Sequence, residues 1–159
     1  MYRVKSASPD NAASLIAVWR KTWPTTYAST LGEHAVKAML DDLDRNGVAT
    51  LLPEVGAQAL CLLNRDKVVG TAIHSFGRPV VYLWGMYVVP QHQRLGAGTA
   101  LFRCVQAAAG EKSIEVRVVQ SSRQASRFYR KLGFTAVREE VTEIMPNVEA
   151  VCVTMRHGA

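Results

Sequence analysis

From Val88 to Thr99 the chain reads Val-Val-Pro-Gln-His-Gln-Arg-Leu-Gly-Ala-Gly-Thr, a stretch whose residue types and spacing suit the grip on a phosphate. The apolar run Val80 to Val89 is bounded by prolines at 79 and 90, and from Ala97 onward apolar residues recur at Ala97, Ala100, Leu101, Cys104, Val105 and Ala108. The repeat changes there from that of a strand to that of a helix. At such a junction the first N–H groups of the helix lack internal partners and carry the positive end of its dipole, so they can receive a phosphate. Gly96 and Gly98 let the backbone approach closely. A dinucleotide-binding turn would want a third small residue at position 101, where Leu101 stands, and a P-loop would want Gly-Lys-Ser/Thr, which occurs nowhere in the chain.

The spacing is Gln-x-x-Gly-x-Gly after Val-x-Pro, carried by Gln93, Gly96 and Gly98. It resembles the central motif of the GCN5-related N-acetyltransferases, Arg/Gln-x-x-Gly-x-Gly/Ala, at the start of the helix that holds the pyrophosphate of acetyl-CoA. A second stretch, Ser122 to Phe134, resembles the helix of that family that flanks the thiol end of the cofactor. The usual form there is Asn-x-x-Ala-x-x-x-Tyr followed by Leu-Gly-Phe. Ala125, Tyr129, Leu132, Gly133 and Phe134 fall in place, while Ser122 stands where asparagine is common. A serine hydroxyl still donates or accepts toward the pantetheine arm. The resemblance is strong over residues 80–134. It implies acetyl-CoA as co-substrate, bound by Val88, Val89, Gln93, Arg94, Leu95, Gly96, Ala97, Gly98, Thr99, Ser122 and Tyr129. It also implies a main-chain N–H near Val88 or Val89 for the acetyl carbonyl, and Tyr129 beside the sulfur as proton donor.

Acetyl transfer to an amine sets three tasks. A primary amine with a pKa of about 10.4 is protonated at neutral pH, so a base or a water chain must take its proton. Charge developing on the carbonyl oxygen must be stabilised, and the departing thiolate must be protonated or tolerated. Many relatives keep a glutamate on the strand before the motif, where this chain has Tyr82. His74, on the neighbouring strand, has a suitable pKa class and is the first choice of base, with Tyr82 relaying through water as the second. A lone histidine in a strand also serves as a packed side chain. The acceptor pocket is expected to be built from the segment between the first two helices and from the last hairpin, lined by Trp23, Tyr27, Trp84 and Tyr87. Aromatic faces suit a cationic amine, although each of these is also a core candidate. The Trp23 to Tyr27 spacing resembles bacterial small-molecule members of the family, and so points to a small amine acceptor. Glu33, Glu139, Glu140, Glu143 and Glu149 are available to attract a cation or simply to be solvated.

Elements able to position these groups follow from pattern. Val4 to Ser6 is a short strand candidate, and Ser8-Pro9-Asp10 starts a helix whose apolar spacing runs through Leu15, Ile16, Trp19 and Trp23 until Pro24 stops it. A second helix, from about Glu33 to Leu43, closes at Asn46-Gly47. Ala59 to Leu63 and Val68 to Ser75 flank Asn64-Arg65-Asp66-Lys67 as an antiparallel hairpin, and Val80 to Val89 pairs next. After the motif helix come a strand at Ile114 to Val119, a helix from Ser122 to Leu132 capped by Gly133, and a final hairpin around Pro146-Asn147. That order is α/β with a mixed, largely antiparallel sheet. It agrees with the acetyltransferase fold, in which the strands ending near Val89 and Val119 splay apart to admit the cofactor.

The chain of 159 residues is the length of one domain, without linker, repeat or low-complexity tract. No apolar run suits a signal peptide or a membrane span, and a soluble cytoplasmic protein is the expectation. Cys61, Cys104 and Cys152 lie in apolar segments and are expected as buried free thiols. The four histidines form no pair at ligand spacing, so no metal is expected. The net charge of +6 raises nucleic-acid binding, but the basic residues are scattered apart from Arg117, Arg123, Arg127, Arg130 and Lys131, near the expected cofactor, whose phosphates suit a basic rim. Neither nucleic acid nor membrane is expected as a partner. Apolar strand residues near Val148 to Val153 would permit a homodimer. The sequence thus points to direct acetyl transfer from acetyl-CoA to a small-molecule primary amine. The other reading, motivated by the missing strand glutamate and by Ser122, is a non-catalytic acyl-CoA-binding domain.

Overall fold

The computed structural model describes residues 1–50, 56–77, 79–145 and 147–158, without the side chains of Val48, Thr50 and Met145. Its main elements are β1 (Tyr2–Ser6), α1 (Ala12–Leu31), α2 (Glu33–Asn46), β2 (Ala57–Asn64), β3 (Lys67–Phe76), β4 (Val80–Val88), α3 (Ala97–Ala109), β5 (Ser113–Val119), α4 (Arg123–Lys131), β6 (Thr135–Met145) and β7 (Val148–His157). The order is the one expected. The strands form one sheet in the sequence β1-β2-β3-β4-β5-β7-β6, antiparallel everywhere except between β4 and β5.

Three expectations are corrected. Pro24 does not stop α1, which continues to Leu31 and ends at Gly32. Proline removes one N–H, and a helix interior ordinarily loses about 3 kcal/mol by it. Here the orphaned carbonyl belongs to Arg20, on the exposed side, where water can satisfy it. Burial of Leu15, Val18, Trp19 and Trp23 holds the helix to the sheet, at about 1.5–3 kcal/mol for each fully buried side chain. The hydroxyls of Thr22 and Thr25 also donate back to the carbonyls of Trp19 and Thr22. Trp23 and Tyr27 therefore stand on a helix and not between helices. Secondly, β7 is not an edge: it lies between β5 and β6, so the edge at this end of the sheet is β6, and the dimer surface expected near Val148 to Val153 is covered by strand pairing on both sides. Thirdly, Cys104 is only half-buried, whereas Cys61 and Cys152 are buried, all three as free thiols. Of the turn expected at Pro146-Asn147, Pro146 lies outside the described residues; Asn147 is in the left-handed region at φ 66°.

Two details of β4 position everything that follows. Pairing with β5 covers only Val80 to Leu83 against Ser113 to Val116; beyond these residues the two parallel strands diverge. The register of β4 on β3 also slips, from Ile73 opposite Gly85 to His74 opposite Leu83, which leaves Trp84 as an extra residue. Such a bulge re-aims the side chains on either side of it.

Candidate active site

The motif region folds as a turn from Pro90 to Gly96 and then α3. Gly96 caps the helix in the left-handed conformation at φ 84°, and Arg94 is left-handed as well at 62°. The first helical hydrogen bond runs from the Ala100 N–H to the Gly96 carbonyl, so the N–H groups of Ala97, Gly98 and Thr99 have no acceptor in the helix. A Cβ on Gly96 would meet no atom within 4 Å, whereas one on Gly98 would stand 2.9 Å from the Phe128 ring. Gly96 thus faces open space, and Gly98 lets α4 approach α3. The turn is tied down from three sides. The Gln93 amide donates to the Val88 carbonyl at 2.9 Å, and His92 Nδ1 lies 2.9 Å from the Tyr2 hydroxyl and 3.4 Å from the Asn64 amide. Leu95 is exposed and Ala97 buried.

The backbone of β4 completes the cradle. The Val89 N–H is committed to the Val69 carbonyl at 2.9 Å. In an antiparallel pair, successive residues point their backbone groups to opposite neighbours. The N–H of Val88 therefore turns away from β3, toward the side on which β5 has diverged, and so does that of Met86. Of the two main-chain groups expected near the acetyl carbonyl, only that of Val88 is available.

Tyr129 stands on α4, buried, with the rings of Phe128 and Phe134 edge-on at centroid distances of 5.2 Å. Burial holds its hydroxyl well above the usual tyrosine range, and Tyr87 adds to the effect. Tyr87 and Tyr27 join hydroxyls across 2.9 Å, and burial raises both of these too. Groups shifted in this way keep their protons at neutral pH; they can donate but not abstract. Trp23 packs its ring edge against Tyr87, yet it is 2% exposed and stacked on Trp19, which places it in the core. Ser122 caps α4, with no bond from its hydroxyl to the helix.

The bulge decides which candidates meet. Residues opposite one another in a sheet share a face, and neighbours along a strand alternate. Thr71 opposes Tyr87, Ile73 opposes Gly85, and Ser75 opposes Tyr82, so Tyr82 and Tyr87 share the face covered in part by α1. Trp84 joins them: its indole N–H donates to Ser75 Oγ at 3.0 Å, and its ring meets Tyr82 at 4.6 Å. His74 opposes Leu83 and points to the other face. It is 1% exposed, neither ring nitrogen has a partner among the described residues, and burial lowers its pKa. His74 is not brought together with Tyr82, Tyr87 or Tyr129.

Parallel strands that diverge, a glycine-capped helix whose first three N–H groups have no acceptor in the helix, and a buried tyrosine on α4 suit an acyl-CoA. The profile of an acetyltransferase (GNAT) domain matches residues 55–136, just over half of the chain. The chain belongs to the GNAT acetyltransferase family. Solved structures agree in fold. A GCN5-related N-acetyltransferase from Rhodopseudomonas palustris superposes with a TM-score of 0.82 at 19% identity, over 99% of this chain and 95% of that one. The PaiA N-acetyltransferase from Thermoplasma acidophilum, solved with coenzyme A, gives 0.76 at 17%, over 100% and 99%. The ribosomal-protein-S18-alanine N-acetyltransferase from Escherichia coli gives 0.70 at 17%, over 99% and 93%. No curated protein sequence matches the chain. Among the described residues no helix is long and apolar enough to cross a membrane, and no group of three or more His, Cys, Asp or Glu could hold a metal.

This GNAT chain also carries charged residues that motif reasoning passed over. Glu115 opposes Tyr82 across the β4–β5 pair, and Arg156 donates to its Oε2 from two nitrogens at 2.9 and 2.5 Å. Arg138 lies 3.5 Å from its other oxygen. Arg117, counted above as part of a basic rim near the cofactor, stands on this same face, 6.0 Å from the Tyr82 ring centroid. The signal was present in the strand itself, since Ser113, Glu115 and Arg117 alternate with Ile114, Val116 and Val118. Period-2 polarity marks a strand with one polar face.

Proposed function

We propose that this GNAT acetyltransferase moves the acetyl group of acetyl-CoA to a primary amine of a small molecule, by direct attack with both substrates bound. The observation that carries it is the pairing of the open N–H cluster at Ala97, Gly98 and Thr99 with the divergence of β4 from β5 beyond Leu83 and Val116. The left-handed Gly96 with free space before it fits a pyrophosphate, with Gln93, Arg94 and Leu95 forming the turn around it. When bound, acetyl-CoA supplies an activated thioester, whose C–S bond breaks as the amine forms its N–C bond. The Val88 N–H faces the developing charge on the carbonyl oxygen. Ser122 offers a hydroxyl to the pantetheine arm, and Tyr129, held protonated, gives its proton to the departing sulfur and takes one back from the water that receives the amine's. Tyr27, Tyr87, Tyr82 and Trp84 line the acceptor side. The amine proton leaves through water at the open mouth, because the candidate tyrosines hold their own protons and His74 lies across the sheet.

The lack of a base among these groups favours one other reading, an acyl-CoA-binding domain without turnover. Calorimetric titration of acetyl-CoA and CoA, with Gly96→Glu as control, tests the site. A Cβ there meets no atom within 4 Å, while the left-handed φ of 84° disfavours any side chain and a carboxylate brings like charge to the anion's place, so micromolar binding should be lost. Unchanged affinity would remove the proposed cofactor site. An amine panel then separates the two readings, since binding without acetylation of any amine would favour the second.

A further inference from the structure

Arg117 is the first residue of β5 after its pairing with β4 ends, and its side chain is on the face of Tyr82 and Tyr87, at the mouth of the proposed cleft. A guanidinium has five N–H donors. Among the described residues Arg117 makes no hydrogen bond; the carboxylate of Glu140 is 3.8 Å away, and the side chain is 35% exposed. It is nevertheless held in place, over the Tyr82 ring on one side and beside Glu140 on the other. Arg156 is different, since its two bonds to one oxygen of Glu115, at 2.9 and 2.5 Å, engage its guanidinium and offset that carboxylate's charge. Glu115 being neutralised, the remaining charges are Arg117, Arg138 and Glu140, two positive against one negative. Trp84, 40% exposed and fixed through Ser75, offers a flat apolar shelf against the Tyr82 ring.

We infer that the acceptor carries a carboxylate beside its amine, as an amino acid does, and that Arg117 binds this carboxylate through its free donors. The inference rests on the acetyltransferase reading and narrows its substrate class. A planar carboxylate matches the guanidinium fork, and charge-assisted bonds of this kind distinguish an acid from its neutral amide.

The test uses the full chain with saturating acetyl-CoA and follows thiol release. Glycine, phenylalanine and glutamate are compared with their carboxamides, and putrescine serves as a cationic amine without a carboxylate. The acids should exceed their amides in kcat/KM by roughly tenfold or more. Arg117→Gln should erase that ratio through KM for the acids while leaving the amides and acetyl-CoA affinity unchanged, and Arg117→Lys should restore part of it. A purely structural arginine would affect acids and amides alike. Amides or putrescine acetylated as well as the acids, or a ratio that survives Arg117→Gln, would overturn the inference and leave the transferase standing. Acetyl-CoA that binds with no amine turned over overturns it in favour of a binding domain. Failure of acetyl-CoA to bind removes the parent reading, and the inference with it.

Discussion

Tyr129→Phe separates a chemical role from a packing role, because the structure assigns the two very different sizes. The substitution deletes one oxygen and leaves the ring against Phe128 and Phe134, each at 5.2 Å. Among the described residues no hydrogen bond involves that hydroxyl, so its loss orphans no partner, and stability should change by no more than about 0.5 kcal/mol. A proton donor to a leaving group contributes roughly 10²–10⁴ in rate, equivalent to about 3–5 kcal/mol of barrier. The expected variant therefore keeps its urea midpoint and its calorimetric affinity for CoA, while kcat for thiol release falls at least about a hundredfold. Burial raises the pKa of Tyr129, so the wild-type donor stays protonated through the alkaline range of an ordinary assay and should cause no loss of rate up to about pH 9. A variant with kcat within a factor of about two of wild type would refute the proton-donor role. So would parallel losses of stability and CoA affinity, which would make Tyr129 a structural residue.

Gly85→Ala would place its Cβ 2.8 Å from Cε2 of Tyr87, pushing that ring off Tyr27. Expected are a several-fold rise in KM for the acceptor, unchanged CoA affinity and about 1–2 kcal/mol of destabilisation by urea titration. His74→Leu replaces a buried ring with two unpartnered nitrogens by an apolar side chain, so kcat should hold and stability at pH 7 should be equal or higher. Because burial depresses the folded-state pKa of His74, the unfolded chain takes up the proton first, and stability present at neutral pH declines as the pH falls below about 6.5. Urea midpoints at pH 7 and 5.5 should lie closer together in the variant, and a hundredfold loss of kcat would reinstate the histidine as the base.

Order and type of the elements were legible because periodicity and caps agree locally, as at Gly47 and Gly133. The phosphate turn was legible because Gly96 and Gly98 answer a purely local demand for conformation and close approach. What stayed hidden depends on distant contacts. Pro24 is an ordinary stop signal that packing overrides, and nothing within residues 148–157 announces that β7 slots between β5 and β6. The face on which His74 points depends on strand register, which composition cannot supply. Trp84 and Tyr87 were named for the acceptor pocket and Tyr82 as a relay to a base, yet only the extra residue at Trp84 brings the three to one side.

That extra residue changes the parity of β4. In an unbroken strand, odd and even positions address different sides, and Tyr82 and Tyr87, five apart in number, would look away from each other. With Trp84 inserted, the first half of the strand counts in one frame and the second half in the other. Loss of a single residue beside Trp84 would hardly shift the motif turn along the chain. It would remove the bulge and let the strand alternate without a break, so Tyr82 and Tyr87, then four apart, would keep their places opposite Ser75 and Thr71 on one side while the wall lost the kink that aims its side chains and the anion cradle at Gly96 kept its form.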